Sequence, residues 1–207
     1  PHLRAGSRLL EIGCGAGNLL VQAIVPGSYP VALDLSMQAL TFVRSRLQEA
    51  AFGDGAPSGF ACTQAIGESL PLADGSFDCV LLSEVIEHLD APQISIREAA
   101  RVLKPNGRLL VTTPNYRSFW PLMEWAVDRL NLAPKMAGEQ HVSHFHPSSL
   151  KRMLVEAGLE MEYSGSIYNL SPFLSLVSLE QAKRQLQHEL SRRSALGMIL
   201  VAVAIKP

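Results

Sequence analysis

Arg8-Leu9-Leu10-Glu11-Ile12-Gly13-Cys14-Gly15-Ala16-Gly17-Asn18, answered further on by Asp34 at the end of the next apolar run, decides the fold. Arg8 to Ile12 reads as a buried strand. Gly13, Gly15 and Gly17 open backbone conformations closed to other residues, and Asn18 to Val25 reads as a helix, punctuated at its end by Pro26, Gly27 and Pro30. A strand, a glycine loop and a helix in that order let the backbone approach a ligand, with N–H groups at the helix start. Asp34 falls at the tip of the next strand, where a carboxylate can accept two hydrogen bonds from the vicinal hydroxyls of a ribose. A glycine motif alone also describes a tight turn that binds nothing. Strand, helix and acid in register argue for a nucleoside.

Outward from that loop, short apolar runs alternate with longer amphipathic stretches, the rhythm of βα units winding a mostly parallel sheet. Val31 to Leu33 is the second strand. Ser36 caps a helix over Met37 to Ala50, where Ala39, Leu40, Val43, Leu47 and Ala50 recur at helical spacing. Phe60 to Gln64 and Phe77 to Leu82 read as the third and fourth strands, both expected at or near the centre of the sheet. Pro92 to Leu103 is a helix, and Lys104-Pro105-Asn106-Gly107 a turn into a fifth strand from Arg108 to Thr113. Tyr116 to Asn131 carries Phe119, Trp120 and Trp125 on a helix whose spacing favours packing against the sheet over an acceptor pocket. A helix over Pro147 to Ala157, a strand over Leu159 to Tyr163, a helix over Leu176 to Ser191 and an apolar strand over Met198 to Ile205 complete the chain. The last strand follows so soon after a helix that it is expected antiparallel. The sum is an α/β, Rossmann-like three-layer sandwich with a mostly parallel seven-stranded sheet, in a single domain over residues 1–207 with an inserted substrate or lid region over 115–146.

The bulk properties narrow the partners. Of 207 residues, 47% are hydrophobic and 18% charged with a formal net charge of -1, which lacks the basic excess of a nucleic-acid binder. The longest apolar run, Met198 to Ile205, falls far short of the roughly 20 residues of a membrane helix, so no membrane insertion is expected. Cys14, Cys62 and Cys79 are odd in number, scattered and without a CxxC, which fits a reducing cytoplasm. Because the sequence opens at Pro1 within about ten residues of its first strand, an upstream segment is expected to precede it.

Glu11 two residues before Gly13, with Gly15 and Gly17 following, resembles motif I of class I S-adenosylmethionine-dependent methyltransferases of the small-molecule, type 11/23-like kind. The resemblance implies that Glu11, Gly13, Cys14, Gly15 and Gly17 surround the methionine moiety of S-adenosylmethionine, that Asp34 holds its ribose, and that Leu35 flanks its adenine. Gly67-Glu68-Ser69-Leu70-Pro71 through Gly75-Ser76-Phe77-Asp78 is similar to the family segment that passes the adenine. It departs at Ile66, where many relatives place an Asp, and this leaves adenine recognition to backbone groups of Ile66 and Gly67. Ser83-Glu84-Val85-Ile86-Glu87-His88-Leu89 resembles the family's E-x-x-E-H-L segment, which puts Ser83 and Glu84 toward the methyl donor. Arg101 to Arg108 and Thr112 to Asn115 resemble the helix, turn and fifth strand of the same family, so the likeness spans most of residues 7 to 115. It implies transfer of a methyl group to an O or N atom of a small molecule, leaving S-adenosylhomocysteine.

In-line displacement at a sulfonium needs an acceptor held against the methyl group and water excluded, with no nucleophilic side chain from the protein. An acceptor hydroxyl gains from a nearby base. His88 and His141 are the catalytic candidates, with His144 considered beside them, because imidazole titrates near neutral pH. Glu84, Glu87 and His88 offer three potential metal ligands but no further partner within the motif, so no metal is expected. Two other classes compete. A nicotinamide-dependent oxidoreductase wants Gly or Ala where Asn18 stands, and a non-catalytic nucleotide-binding regulatory domain has no need of an intact Gly13, Gly15, Gly17 and Asp34 together.

Overall fold

The computed structural model describes residues 3–51, 55–119, 121, 122, 125, 129, 141–168, 178–192 and 196–207. Seven strands form one sheet: β1 (Arg8–Ile12), β2 (Tyr29–Asp34), β3 (Ala61–Gln64), β4 (Phe77–Ser83), β5 (Leu103–Pro114), β6 (Glu160–Ile167) and β7 (Ile199–Ile205). Their order is β3-β2-β1-β4-β5-β7-β6. The first five strands pair in parallel, and β7 runs antiparallel to both β5 and β6, as the closing apolar strand was expected to do.

Helices α1 (Asn18–Ala23), α2 (Met37–Ala50), α3 (Pro92–Val102), α4 (Pro147–Glu156) and α5 (Leu179–Arg192), with a short 3-10 turn over Ile86–His88, complete the described elements. Side chains alternate across the central strands, and each face meets its own layer. Leu10, Ile12, Val80 and Leu82 join Ile96, Ala99, Leu150 and Leu154 of α3 and α4 in one buried cluster. Leu9, Cys79 and Leu81 join Leu20, Leu40, Val43 and Leu47 of α1 and α2 in the other. Ser36 caps α2 as read from the sequence, its side chain accepting the Ala39 N–H.

Three expectations are corrected. β3 is an edge strand, half-buried along its length; a short apolar run reads alike at an edge and in a centre. β5 starts at Leu103 and runs through the expected Lys104–Gly107 turn, because Leu103 already pairs with Phe77 and the extra residues are absorbed as a register shift before Cys79 meets Arg108. Asn106, at φ 63°, makes that kink, and its N–H donates to the Lys206 carbonyl. Phe119 and Trp125, expected to pack against the sheet, are instead 72% and 62% exposed, past the end of β5 at Pro114. Trp120 and half of the expected Tyr116–Asn131 helix, with the greater part of 115–146, lie outside the described residues, as do Leu176 and Val177.

Strand order reverses between β1 and β4, whose chains cross to opposite sides of the sheet, and a crevice opens at the carboxyl ends of strands at such a point. The glycine loop leaves β1 there, and Ser83 and Glu84 leave β4. Phe77, fully buried where β4 begins, anchors this pair of strands. Phe77→Ala is expected to destabilise the protein by about 3–5 kcal/mol, read as a lower urea midpoint at unchanged slope; a midpoint within error of wild type would contradict the packing described.

Candidate active site

Gly13, Gly15 and Gly17 all take positive φ, 66°, 46° and 68°. Two of them are glycine because neighbours press on them: a Cβ at Gly13 would lie 2.5 Å from Val85 Cγ2, and one at Gly17 would collide with Val43. Gly15 differs, since nothing stands within 4 Å of its missing Cβ. Asp34 ties the loop down. Its Oδ2 accepts the Gly15 N–H at 2.8 Å and its Oδ1 accepts the Ser36 N–H at 2.8 Å, which leaves lone pairs on both oxygens for a ligand's hydroxyls. Arg46, on α2, clamps the other side of the loop, donating to the Ala16 carbonyl and to Asn18 Oδ1 at 2.6 Å each.

Glu11 lies beneath the loop rather than in its mouth. Its side chain is 3% exposed, and Oε2 accepts the Leu20 N–H at 3.2 Å, so it takes a donor of the first turn of α1. Burial, with a smaller push from the Asp34 charge and against the Leu20 bond, raises its pKa to about 7. Cys14 is buried, its N–H paired with the Leu33 carbonyl.

A cavity of about 150 Å³ runs beside the loop, bounded by Gly13, Asp34, Leu35, Ile66, Gly67 and Glu68, with Ile12 and Val85 at its floor. Leu35 and Ile66, 67% and 48% exposed, form apolar walls. Most of the nucleoside-side residues read from the sequence therefore gather on one slot.

The far side of the crevice comes from β4 and β5. Ser83 Oγ lies 2.9 Å from Thr112 Oγ1, which donates to Glu84 Oε1 at 2.7 Å. Glu84 takes φ 53°, a conformation that costs a non-glycine residue on the order of 1–3 kcal/mol. It opens to solvent yet is walled by protein on its other sides, and that desolvation raises its carboxyl above the usual range against the Thr112 bond. Glu87 is buried, accepts from Thr113 Oγ1 at 2.9 Å, and is raised to about 8 by burial first and the Glu84 charge second.

His88 and His141 come together. The Val142 and Ser143 N–H groups both donate to the Glu87 carbonyl and Ser143 Oγ donates to the Leu89 carbonyl, which lays the 141–143 strip along the 87–89 turn. The two imidazole centroids are 5.1 Å apart. Tyr116 holds this group from the third side: its hydroxyl lies 2.7 Å from His141 Nδ1 and its ring stacks on His144 at 4.1 Å. The sequence reading missed Tyr116, Thr112, Thr113 and Arg46. Tyr116 carried a usable signal, since it follows the carboxyl end of a parallel strand; Arg46 carried none beyond its place on a helix.

A crevice at a sheet's switch point, with a loop bonded to the acid of the neighbouring strand, defines a Rossmann-like nucleoside-binding enzyme class. Residues 10–111 match the family described as "Methyltransferase domain". The chain is 30% identical over 182 residues to "Ubiquinone biosynthesis O-methyltransferase" of Aromatoleum aromaticum, spanning 84% of this chain and 73% of that protein. It is also 30% identical over 175 residues to "Ubiquinone/menaquinone biosynthesis C-methyltransferase UbiE" of Pseudomonas savastanoi, spanning 76% and 67%. In fold it is similar to a SAM-dependent methyltransferase from Methanosarcina mazei, with TM-score 0.69 at 18% identity over 99% of this chain and 94% of that one. The chain belongs to the methyltransferase family and is an S-adenosylmethionine-dependent enzyme that methylates a small-molecule acceptor.

Glu11 binds its proton more tightly in the folded than in the unfolded chain, so its stabilising contribution is present below about pH 4.5 and is lost as pH rises through about 7. Glu11→Gln should remove that loss. Across this interval the variant's unfolding free energy is expected to gain on wild type by on the order of 3 kcal/mol in urea denaturation at stepped pH; parallel stability curves would contradict the assignment.

Proposed function

We propose that S-adenosylmethionine lies across the crevice with its ribose on Asp34, its adenine between Leu35 and Ile66 beside the Ile66, Gly67 and Glu68 backbone, and its methionine end over Gly13, Cys14, Gly15 and Gly17 toward Ser83 and Glu84, while Glu11 shapes the loop from below. One observation carries this over a dinucleotide: several N–H groups of the loop and of the helix start are already taken up within the protein. Gly15 N–H is held by Asp34, Leu20 N–H by Glu11 and Gly17 N–H by the Cys14 carbonyl. A pyrophosphate would meet carboxylates where it needs N–H groups, whereas a ligand bearing hydroxyls, an ammonium and a sulfonium meets the acceptors it needs.

The bound donor supplies an electrophilic methyl group on a positively charged sulfur. This chain's part is to bind, orient and exclude water. Acidic side chains at Asp34, Glu68 and Glu84 complement the donor's positive charge. His88 and His141 belong on the acceptor side, where they ease loss of a proton from an acceptor hydroxyl. Relatives named for O-methylation support an oxygen acceptor, and proton-handling residues at the crevice mouth agree with it. Tyr116, His141 and His144 then stand on the same side as the acceptor.

No helix among the described residues is long and apolar enough to cross a membrane. The free cysteines and near-neutral charge fit work in the cytoplasm on a small molecule without a nucleic-acid partner.

Asp34→Ala is expected to weaken binding of S-adenosylmethionine at least about tenfold, as loss of hydrogen bonds to an ionised group implies, measured by equilibrium dialysis of the radiolabelled donor. Unchanged affinity would remove the ribose from Asp34.

A further inference from the structure

Glu87 and His88 are adjacent in sequence, and His141 comes from more than fifty residues away, yet one donor atom from each lies within 4.8 Å of the others. We propose that Glu87, His88 and His141 bind a divalent first-row transition-metal cation beside the methyl acceptor. The proposal rests on the acceptor-side reading above and gives its two histidines a common task.

The chemistry of the donor set points to such a cation. Two imidazoles and a carboxylate form the mixed N/O set that borderline divalent ions take, and they leave coordination positions open. Metal–ligand bonds of about 2.1 Å need donors roughly 3–4 Å apart, so binding draws the three donors together by about an ångström, with His88 the exposed one of the three. The other two partners are held in advance. Thr113 Oγ1 fixes the buried Glu87 carboxylate at 2.9 Å, and the Tyr116 hydroxyl fixes the His141 ring at 2.7 Å, the kind of outer support that orients metal ligands. The sequence alone denied this site a further partner; the Val142 and Ser143 N–H bonds to the Glu87 carbonyl bring His141 to it.

Such an ion would take acceptor oxygens at its open positions, so the acceptor class it selects is a small molecule with a hydroxyl beside a second oxygen. Coordination lowers the hydroxyl's pKa and its proton passes to water. The oxygen's electron pair forms the O–CH₃ bond as the CH₃–S bond breaks, and sulfur keeps the pair from that bond as a neutral thioether.

The test is Mn²⁺ binding to the chelator-stripped protein, followed by the electron paramagnetic resonance signal of free Mn²⁺, with Zn²⁺ added as competitor and S-adenosylhomocysteine affinity measured in parallel. One equivalent of Mn²⁺ should bind and be displaced by Zn²⁺, as the order of affinities requires. His88→Ala and His141→Ala should each weaken it at least about tenfold, while S-adenosylhomocysteine affinity stays within about twofold. Protein that binds S-adenosylhomocysteine but takes up no stoichiometric Mn²⁺ or Zn²⁺, or binds them equally well in both variants, overturns the metal site and leaves the donor reading standing. Metal binding lost in both variants, in protein that ignores S-adenosylhomocysteine, keeps the metal site and overturns the donor reading.

Discussion

The pair of 2.8 Å hydrogen bonds from Gly15 N–H and Ser36 N–H to the Asp34 carboxylate is the constraint on which the crevice depends. One side chain, at the tip of β2, fixes both the glycine loop that leaves β1 and the residue that caps α2. Parallel strands bring the tips of β1 and β2 side by side, Ile12 opposite Leu33, so the acid reaches the loop without distorting the sheet. The close contacts of Gly13 with Val85 and Gly17 with Val43 then leave the loop one shape, with Gly15 alone facing open space.

That shape has an electrostatic consequence. Glycine loops at the start of helices are read as phosphate cradles because their N–H groups point outward. Here Asp34 takes the Gly15 N–H and Glu11, from beneath the loop, takes the Leu20 N–H, and the crevice presents the Asp34 carboxylate beside the loop. A buried Glu11 raised to about 7 by desolvation belongs to the same arrangement, since its place beneath the loop is set by the Leu20 N–H. The same sheet order that puts the glycine loop and Asp34 beside β1 puts Ser83, Glu84 and Glu87 beyond β4, so the two groups of residues flank the switch point.

What could be read from the sequence follows from locality. The glycine loop, Asp34, the Ser36 cap and the closing antiparallel strand depend on spacing and residue type within a few positions, and all four are in place. The position of β3 was not legible, because strand order is a long-range property that an apolar run of five residues does not encode. Nor was the start of β5, where Lys104-Pro105-Asn106-Gly107 has turn chemistry but is held along Phe77 and Lys206 by pairing partners distant in sequence. The far side of the crevice was least legible. Tyr116 and His141 meet through the Asn115–Phe145 bridge and the backbone bonds to Glu87, contacts with no signature in residue spacing.

The central claim is that the crevice is built for a cationic nucleoside and not for a dinucleotide. Calorimetric titration of the purified protein with S-adenosylhomocysteine and, separately, with NAD tests it most directly. The account predicts binding on the order of micromolar for S-adenosylhomocysteine and none for NAD. Binding of NAD, or silence from both, would contradict it.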